Sequence, residues 1–353
     1  MQLQERMKSK KEMVVGYLGG SITEGAGASG DETTYRSLVT RWLAEQYPEN
    51  TVTQINAGIG GTGSDLGVFR ADKDLLAHKP DIVFLEFAVN DYSLGEDMAL
   101  RSMEGIVRKI LRQNPDTLIC FLYTLTKTMM EEDYSKGKMP KSVQYQERLA
   151  LHYQIPTINV GFALHQHLTV NGLPVADYLP DNVHPNDAGY RFYADVIGRK
   201  LSAMDFHIQY PSPLCENPLV GGMLLPAAEL DAPGWVKTDE LMQNRMKGYI
   251  YSDKPGDSFT VSFTGSVVGL YWTIEKDSGN IRFSIDGGAE ETASSWDKYA
   301  LQFNRACYKM LATSLPAGKH TLRVTVAEEK EEQSEGRFIR IGAVLCEKDG
   351  VDA

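Results

Sequence analysis

Apolar and polar positions alternate in two different ways along the chain, and the change of pattern falls near residue 205. Before it, short apolar runs alternate with segments in which apolar residues recur every three or four positions. The apolar runs are 13–18, 51–56, 81–87, 117–123 and 157–160, and the helical segments include 34–46, 98–113, 142–153 (with Ser142 as predicted cap) and 188–197. This alternation of strands and helices predicts a parallel sheet flanked by helices, the α/β class.

After residue 205 the pattern changes to short runs with period-two alternation. The segment Tyr210-Pro211-Ser212-Pro213-Leu214 disfavours helix and predicts a linker, and runs at 258–263, 280–285 and 321–326 predict antiparallel strands. Asp286-Gly287-Gly288 supplies the residues of a hairpin turn. We therefore expect two domains, an α/β domain over residues 1–210 and a smaller all-β sandwich over residues 211–353.

Composition narrows the function classes without selecting one. A chain of 353 residues is long enough to bury two cores, and its net charge of −11 argues against binding to nucleic acid. Four scattered cysteines without a CxxC pair predict reduced thiols and a reducing compartment. The polar N-terminus and the absence of an apolar run of about 18 residues predict neither export nor a membrane span. We therefore expect a cytoplasmic protein.

Candidate catalytic residues lie in two short segments. Gly19-Gly20-Ser21-Ile22-Thr23 follows the first predicted strand, and catalytic groups of open α/β sheets lie at strand ends. Asp181-Asn182-Val183-His184-Pro185 lies just before the predicted helix at 188–197. Ser21, His184 and Asp181 are a nucleophile, a base and an acid that can orient the base, the set that acyl transfer requires. Asp181 has an alternative role as the cap of the following helix.

Two further segments offer donors to a developing oxyanion. The glycine-rich segment 56–63 follows the second strand, and its glycines allow backbone N–H groups to approach a substrate closely. The segment 86–91 ends the third strand and places the Asn90 amide at the same edge of the sheet as Ser21. The four segments together predict one active site with an oxyanion hole.

These segments resemble the four sequence blocks of the SGNH (GDSL-like) hydrolase family. The order Gly-Gly-Ser-Ile-Thr, Asn-x-Gly-x-x-Gly, Ala-Val-Asn-Asp and Asp-x-x-His-Pro covers roughly the first 200 residues. The resemblance implies a flavodoxin-like three-layer fold, Ser21 as nucleophile and Asp181 and His184 as its triad partners. It also implies an oxyanion hole formed by the N–H groups of Ser21 and Gly61 and by the Asn90 amide, with no metal or organic cofactor.

The chain departs from the family blocks at two positions. Gly20 stands where the family commonly has aspartate, and Ala88 stands where it commonly has glycine. Neither departure removes a catalytic group. Gly20 changes the hydrogen bonds available to the nucleophile turn, and Ala88 changes the backbone beside Asn90.

The two-domain organisation suggests a substrate. A hydrolase followed by a jelly-roll-like β-sandwich is similar to carbohydrate esterases that carry a carbohydrate-binding module, which implies removal of acetyl groups from acetylated manno-oligosaccharides. The alternatives are an acetylxylan esterase, a thioesterase or lipase on the same fold, and a glycan-binding protein with an inactive hydrolase domain. Trp296, in a polar segment after the predicted hairpin, is a candidate substrate-binding residue, whereas Trp272 is expected in the core.

Two other patterns are weaker. The segment 58–63 also fits G-x-G-x-x-G, but Asp81, which has the spacing of the required acidic residue, begins its strand and so lies at the wrong edge for nucleotide binding. His165 and His167 are two residues apart on a predicted helix and point to different faces, which disfavours a metal site.

Overall fold

The computed structural model describes residues 3–243 and 245–348. It separates into two compact units, an N-terminal unit that ends at Val220 and a C-terminal unit that begins at Gly221. No helix in the described ranges is both long enough and apolar enough to cross a membrane.

The N-terminal unit alternates helices and strands as the sequence predicts. Its helices are α1 (Leu3–Ser9), α2 (Ser21–Glu24), α3 (Tyr35–Gln46), α4 (Ser64–Asp74), α5 (Glu96–Gln113), α6 (Lys127–Glu132), α7 (Lys141–Tyr153), α8 (Val160–Asn171) and α9 (Asp187–Leu201). Its strands are β1 (Glu12–Gly19), β2 (Thr51–Gly58), β3 (Ile82–Glu86), β4 (Leu118–Leu122) and β5 (Thr157–Ile158). They form one parallel sheet in the order β2-β1-β3-β4-β5, the flavodoxin-like order, which confirms the predicted fold class.

The register of the sheet places three loops side by side. Gly19, the last residue of β1, pairs with Gly58 of β2 on one side and with Glu86 of β3 on the other. From β1 the chain continues to β2 on one side of β1 and then to β3 on the other side, so a crevice opens at this edge of the sheet. The three predicted catalytic segments that follow β1, β2 and β3 therefore start at the same level.

Helices cover both faces of the sheet, so the central strands are buried completely. Every residue of β3 and β4 is buried, as expected for parallel strands covered on both sides. On one face, Tyr17 of β1 and Phe84 of β3 stack with ring centroids 5.2 Å apart in a core that α3, α8 and α9 complete. On the other face, α4, α5 and α7 pack in succession. This core fixes the strand ends that carry the candidate site.

The N-terminal unit extends past the predicted boundary at residue 210 because the following segment binds to α5. The N–H groups of Leu214 and Cys215 donate to the Glu104 carboxylate at 2.6 and 2.7 Å. Arg101 Nε donates to the carbonyl of Asn217 at 2.8 Å. The proline-rich segment is thus held against this unit by hydrogen bonds, and the division of the chain falls after residue 220.

The C-terminal unit is built from antiparallel strands, as predicted. They are β6 (Gly222–Pro226), β7 (Val236–Met242), β8 (Met246–Ser252), β9 (Ser258–Ile274), β10 (Asn280–Ile285), β11 (Glu291–Ser294), β12 (Arg305–Ala312), β13 (Lys319–Val326) and β14 (Ile339–Glu347). The long strand β9 has left-handed backbone at Gly265, with φ 114°. The first part of β9 pairs with β13, and its second part pairs with β12 and β14. The strands of this unit therefore belong to one curled sheet.

Two local predictions for this unit are confirmed. The hairpin joins β10 and β11 through Asp286 and Gly287, whose φ values of 53° and 69° suit a tight hairpin turn. Trp272 is 1% exposed and lies in the core of the unit.

Candidate active site

The nucleophile turn is held by two buried arginines. Ser21 is the first residue of α2, a single helical turn that follows Gly20 at the end of β1. Arg36 Nε donates to the carbonyl of Thr23 at 2.7 Å. This carbonyl lies at the C-terminal end of α2, where carbonyl groups have no partner within the helix. On the other side, Arg70 Nη2 donates to the carbonyl of Gly19 at 3.0 Å. Both guanidinium groups are buried, so the turn is fixed on both of its sides.

Ser21, His184 and Asp181 lie in one hydrogen-bonded chain. Ser21 Oγ is 2.8 Å from His184 Nε2, and His184 Nδ1 is 2.6 Å from Asp181 Oδ2. An ionised carboxylate accepts only, so Nδ1 carries the proton and Nε2 is left to accept the proton of the Ser21 hydroxyl. The side chains of His184 and Asp181 are 28% and 57% exposed, which leaves the histidine open to a substrate.

The turn that carries the acid and the base is stabilised by Asp181 itself. Asp181 Oδ1 accepts hydrogen bonds from the N–H groups of Val183 at 2.9 Å and His184 at 2.7 Å. Burial acts to raise the pKa of Asp181, but the hydrogen bonds from His184 and Val183 outweigh burial and lower this pKa to about 2. Asp181 does not cap α9, because that helix is capped by Asn186, whose side chain accepts from Gly189 N at 3.0 Å.

Asn90 and Gly61, the predicted oxyanion donors, lie on the loops that follow β3 and β2. The Asn90 side chain packs directly against Gly20, since a Cβ at position 20 would lie 2.8 Å from Asn90 Cγ and closer still to Oδ1. Neither the Asn90 amide nor the Gly61 N–H has a hydrogen-bond partner within the described residues. Gly61 has left-handed backbone, with φ 71°, which favours glycine at this position. The departure at Gly20 therefore makes room for Asn90.

Helix α7 supports the loop that carries Asn90. Ser142 Oγ donates to the carbonyl of Ala88 at 2.6 Å, and Gln146 Nε2, one turn further on, donates to Asp91 Oδ2 at 3.0 Å. The prediction that Ser142 caps this helix is wrong, because α7 begins at Lys141 after Pro140 and the serine hydroxyl serves the neighbouring loop. Ala88 is completely buried, so its methyl group is accommodated beneath the site.

A buried carboxyl group lies beneath the nucleophile turn. Glu86 Oε2 accepts from Thr23 Oγ1 at 2.9 Å, and Oε1 accepts from Thr124 Oγ1 at 2.6 Å. When Glu86 is ionised and Thr23 donates its hydroxyl proton to the carboxylate, Tyr35 donates to Thr23 Oγ1, 2.9 Å away. Burial raises the pKa of Glu86 to about 7.

Sequence reasoning missed these supporting side chains, although a signal was present. Glu86 interrupts an otherwise apolar strand, and Asp91 follows Asn90 directly; both are buried. Arg36 and Arg70 each lie among the buried residues of a helix. A charged residue inside an apolar pattern usually has a specific partner when it is buried.

The weaker patterns have structural explanations. His165 stacks on Tyr134 with centroids 5.9 Å apart, and His167 Nε2 is 3.0 Å from the Tyr178 hydroxyl, so both pack within the domain. No group of three or more potential ligands in the described part of the chain could hold a metal. Asp81 Oδ2 accepts from the N–H of Val14 at 2.9 Å, before the first residue of β3.

Trp296 lies in the C-terminal unit, in the segment after β11, and is half-buried. Its N–H donates to Ser294 Oγ at 3.2 Å, whereas its indole Nε1 is buried without a hydrogen-bond partner among the described residues. The role of Trp296 in binding substrate stays a prediction.

Comparisons with known proteins identify a family that the sequence matches and solved structures that share the fold. Residues 17–192 match the model of the GDSL-like Lipase/Acylhydrolase family. A two-domain esterase (CEX) active on acetylated mannans, co-crystallised with mannopentaose, superposes with a TM-score of 0.86 at 24% identity, over 99% of this chain and 95% of that one. A second structure of a two-domain esterase active on acetylated mannans gives a TM-score of 0.85 at 24% identity, over 98% and 94%.

A catalytic mutant of an acetylxylan esterase from Geobacillus stearothermophilus superposes with a TM-score of 0.44 at 21% identity, over 54% of this chain and 94% of that one. No curated protein matches the sequence. The two-domain esterase shares the fold of the whole chain.

Proposed function

Because the chain belongs to the GDSL-like lipase/acylhydrolase family, we propose that it is a serine esterase that removes O-acetyl groups from plant-polysaccharide oligosaccharides. Acetylated manno-oligosaccharides are the proposed preferred substrate. The observation that carries the proposal is the hydrogen-bonded chain from Ser21 Oγ through His184 to Asp181, with links of 2.8 and 2.6 Å.

The first half of the proposed reaction acylates Ser21. His184 Nε2 removes the hydroxyl proton while Ser21 Oγ attacks the acetyl carbonyl carbon, and the Asp181 carboxylate stabilises the imidazolium that forms. The carbonyl oxygen becomes an oxyanion that accepts hydrogen bonds from the N–H groups of Ser21 and Gly61 and from the Asn90 amide. His184 then returns its proton to the departing sugar oxygen as the ester bond breaks.

The second half releases acetate. His184 removes a proton from a water molecule, which attacks the acetyl carbonyl, and the same donors stabilise the second oxyanion. Collapse of this intermediate breaks the bond to Ser21 Oγ, which regains its proton from His184. The reaction consumes one water molecule and regenerates the enzyme.

The proposed sugar specificity draws on the likeness of the whole chain to an esterase described as active on acetylated mannans. Trp296 is the proposed contact with the sugar, because it is half-buried and an indole ring offers an apolar face to the C–H groups of a pyranose. Substrate specificity would then depend on the C-terminal unit as well as on the catalytic residues.

The test is acetate release from acetylated manno-oligosaccharides and acetylated xylo-oligosaccharides, assayed side by side with the Ser21→Ala variant as control. Preference for manno-oligosaccharides supports both the proposed reaction and the proposed substrate. Preference for xylo-oligosaccharides supports the reaction but shows that xylan-derived sugars are the preferred substrate. Higher activity on p-nitrophenyl octanoate than on p-nitrophenyl acetate would indicate a lipase or thioesterase. Binding of the oligosaccharides without acetate release would indicate a glycan-binding protein.

The contribution of Trp296 is tested separately with Trp296→Ala. We expect lower kcat/KM on oligosaccharides and unchanged kcat/KM on p-nitrophenyl acetate. Equal kcat/KM values for the variant and the wild type on both substrates would exclude a sugar contact.

A further inference from the structure

The loop that carries Gly61 is held at both ends by carboxyl groups from two other segments of the site. At its start, Glu24 Oε2 accepts from the Gly60 N–H at 2.8 Å. At its end, Asp91 Oδ1 accepts from the Ser64 N–H at 2.9 Å. Glu24 lies on the nucleophile helix α2, and Asp91 follows Asn90. The short segment between the two bonds contains the predicted oxyanion donor.

The first bond sets the distance between this loop and the nucleophile. Glu24 is three residues after Ser21, so its side chain and that of Ser21 share one face of α2. A Cβ at Gly60 would lie 2.9 Å from Glu24 Oε2 and 3.7 Å from Ser21 Cβ, which shows how closely the loop approaches both residues. Loss of the carboxylate would leave the Gly60 N–H without this partner, and the bond from the Ile59 N–H to the Gly19 carbonyl, 3.1 Å, would remain to hold the start of the loop.

The second bond sets the distance between the same loop and Asn90. Asp91 is completely buried, and its other oxygen, Oδ2, accepts from Gln146 of α7 at 3.0 Å. A Cβ at Gly63 would lie 2.7 Å from Asp91 Oδ1, so backbone and carboxylate are in close contact. The aspartate thereby connects the Asn90 loop, the N-terminus of α4 and α7.

We propose that Glu24 and Asp91 are positioning residues that hold the Gly61 N–H at the distance from Ser21 and Asn90 that the oxyanion requires. The inference rests on the proposed esterase function. An oxyanion donor acts only when it lies about 2.7–3.1 Å from the oxygen, and a displacement of about 1 Å in a catalytic geometry can cost about 100-fold in rate. A glycine-rich loop does not supply such precision by itself, because glycine is the most flexible residue.

The test compares two substitutions at Glu24, a half-buried position. Glu24→Gln keeps an oxygen that can accept from Gly60, whereas Glu24→Ala removes it. With p-nitrophenyl acetate we expect Glu24→Gln to stay within about threefold of wild-type kcat, and Glu24→Ala to lose about 10- to 100-fold in kcat with little change in KM. Glu45→Ala, at an exposed position of α3, is the matched control and should be unchanged.

Amide hydrogen exchange provides a readout that does not depend on esterase activity. The Gly60 amide should be protected in the wild type and in Glu24→Gln, and should exchange faster in Glu24→Ala. If the wild type hydrolyses no ester, the proposed function fails while the exchange measurement still tests the bond from Glu24. Wild-type kcat in Glu24→Ala, a loss in Glu24→Gln equal to that in Glu24→Ala, or unchanged Gly60 exchange would each overturn the inference.

The same logic applies to Asp91, with a conservative variant that preserves folding. Asp91→Asn keeps an acceptor for Ser64 N, and Gln146 can turn its amide toward the new Nδ2 group because its Oε1 has no partner within the described chain. We expect Asp91→Asn to keep kcat within about tenfold and to keep Ser64 protected from exchange. Loss of Ser64 protection without any loss of kcat would contradict a positioning role for Asp91.

Discussion

Restoring the family's usual residue at position 20 should inactivate this protein. A Cβ at Gly20 would lie 2.8 Å from Asn90 Cγ and 3.3 Å from Asn90 Nδ2, with Oδ1 nearer than either. These distances are shorter than ordinary van der Waals contact, so Gly20→Ala forces the Asn90 amide to move. Gly20→Asp adds a carboxylate in the same space. The perturbation is thus directed at one predicted oxyanion donor.

The expected effect falls on the rate and not on stability. The atoms that must move form the end of one side chain and carry no hydrogen bond within the described residues, so the free energy of unfolding should change little. Loss of one oxyanion donor costs about 10² to 10³ in kcat, or about 2.7–4 kcal/mol of transition-state stabilisation. Because the donor acts mainly in the transition state, KM should stay close to its wild-type value.

The assay is steady-state hydrolysis of p-nitrophenyl acetate by Gly20→Ala, Asn90→Ala and the double variant. Asn90→Ala removes the atoms with which the new Cβ collides, so Gly20→Ala should cost almost nothing in that background. Gly95→Ala is the matched control, because a Cβ there meets nothing within 4 Å. Activity of Gly20→Ala within tenfold of wild type, or costs that add in the double variant, would refute the reasoning.

Three further predictions follow from the structure. Ser21→Ala should abolish ester hydrolysis at an unchanged melting temperature; a folded, active variant would exclude the proposed mechanism. Burial raises the pKa of Glu86 from 4.5 to about 7, so the folded protein binds this proton more tightly than the unfolded chain does. The resulting contribution to the free energy of unfolding, about 3 kcal/mol, is complete below pH 4.5 and is lost as pH rises through 7. Glu86→Gln should therefore flatten the fall of stability between pH 5 and 8 in denaturant titrations, and an unchanged fall would contradict this. The hydrogen bond from His320 Nδ1 to Asp286, 2.6 Å, raises the pKa of His320, so its NMR titration midpoint should drop in Asp286→Asn; an equal midpoint would exclude the pairing.

The sequence pattern predicted the architecture because burial determines it. The apolar runs that became β3 and β4 are buried on both faces, and their continuous hydrophobicity is what distinguishes strands of a covered parallel sheet. The triad followed from the same logic, since Ser21 comes directly after β1 and His184 precedes α9. Local order along the chain, combined with the rule for strand ends, was sufficient to predict that these residues meet at one edge of the sheet, whereas their catalytic roles stay a prediction.

What the sequence did not predict depends on contacts between distant segments. Serine is a residue type favoured at helix N-caps, but the Ser142 hydroxyl donates to the carbonyl of Ala88, which lies on a loop 54 residues earlier. Leu214 ends the helix-hostile segment that suggested a domain boundary, yet its N–H donates to Glu104 of α5. Neither partner can be found from spacing, because each is chosen by tertiary packing.

The ionisable side chains around the site explain why four short blocks are not enough to build it. The N–H and carbonyl groups of loops at a sheet edge have no partners in a strand or helix, so they need other partners when they are buried. Charged side chains of neighbouring elements can provide these hydrogen bonds. Arg36 and Arg70 serve carbonyl groups around Ser21, whereas Glu24 and Asp91 serve N–H groups around Gly61. Arg36, Arg70 and Glu24 lie outside the four blocks, whereas Asp91 ends the third block.

It follows that the blocks specify the chemistry, whereas the ionisable partners of the loops specify its geometry. A chain that kept Ser21, His184 and Asp181 but lost the partners of the Gly61 loop would retain its nucleophile and base. Its backbone donor, however, would no longer be held at hydrogen-bond distance from the oxyanion, and stabilisation of the transition state depends on that distance. Such a chain should acylate slowly although its triad is intact, so the presence of the four blocks in a sequence predicts the reaction type better than it predicts the rate.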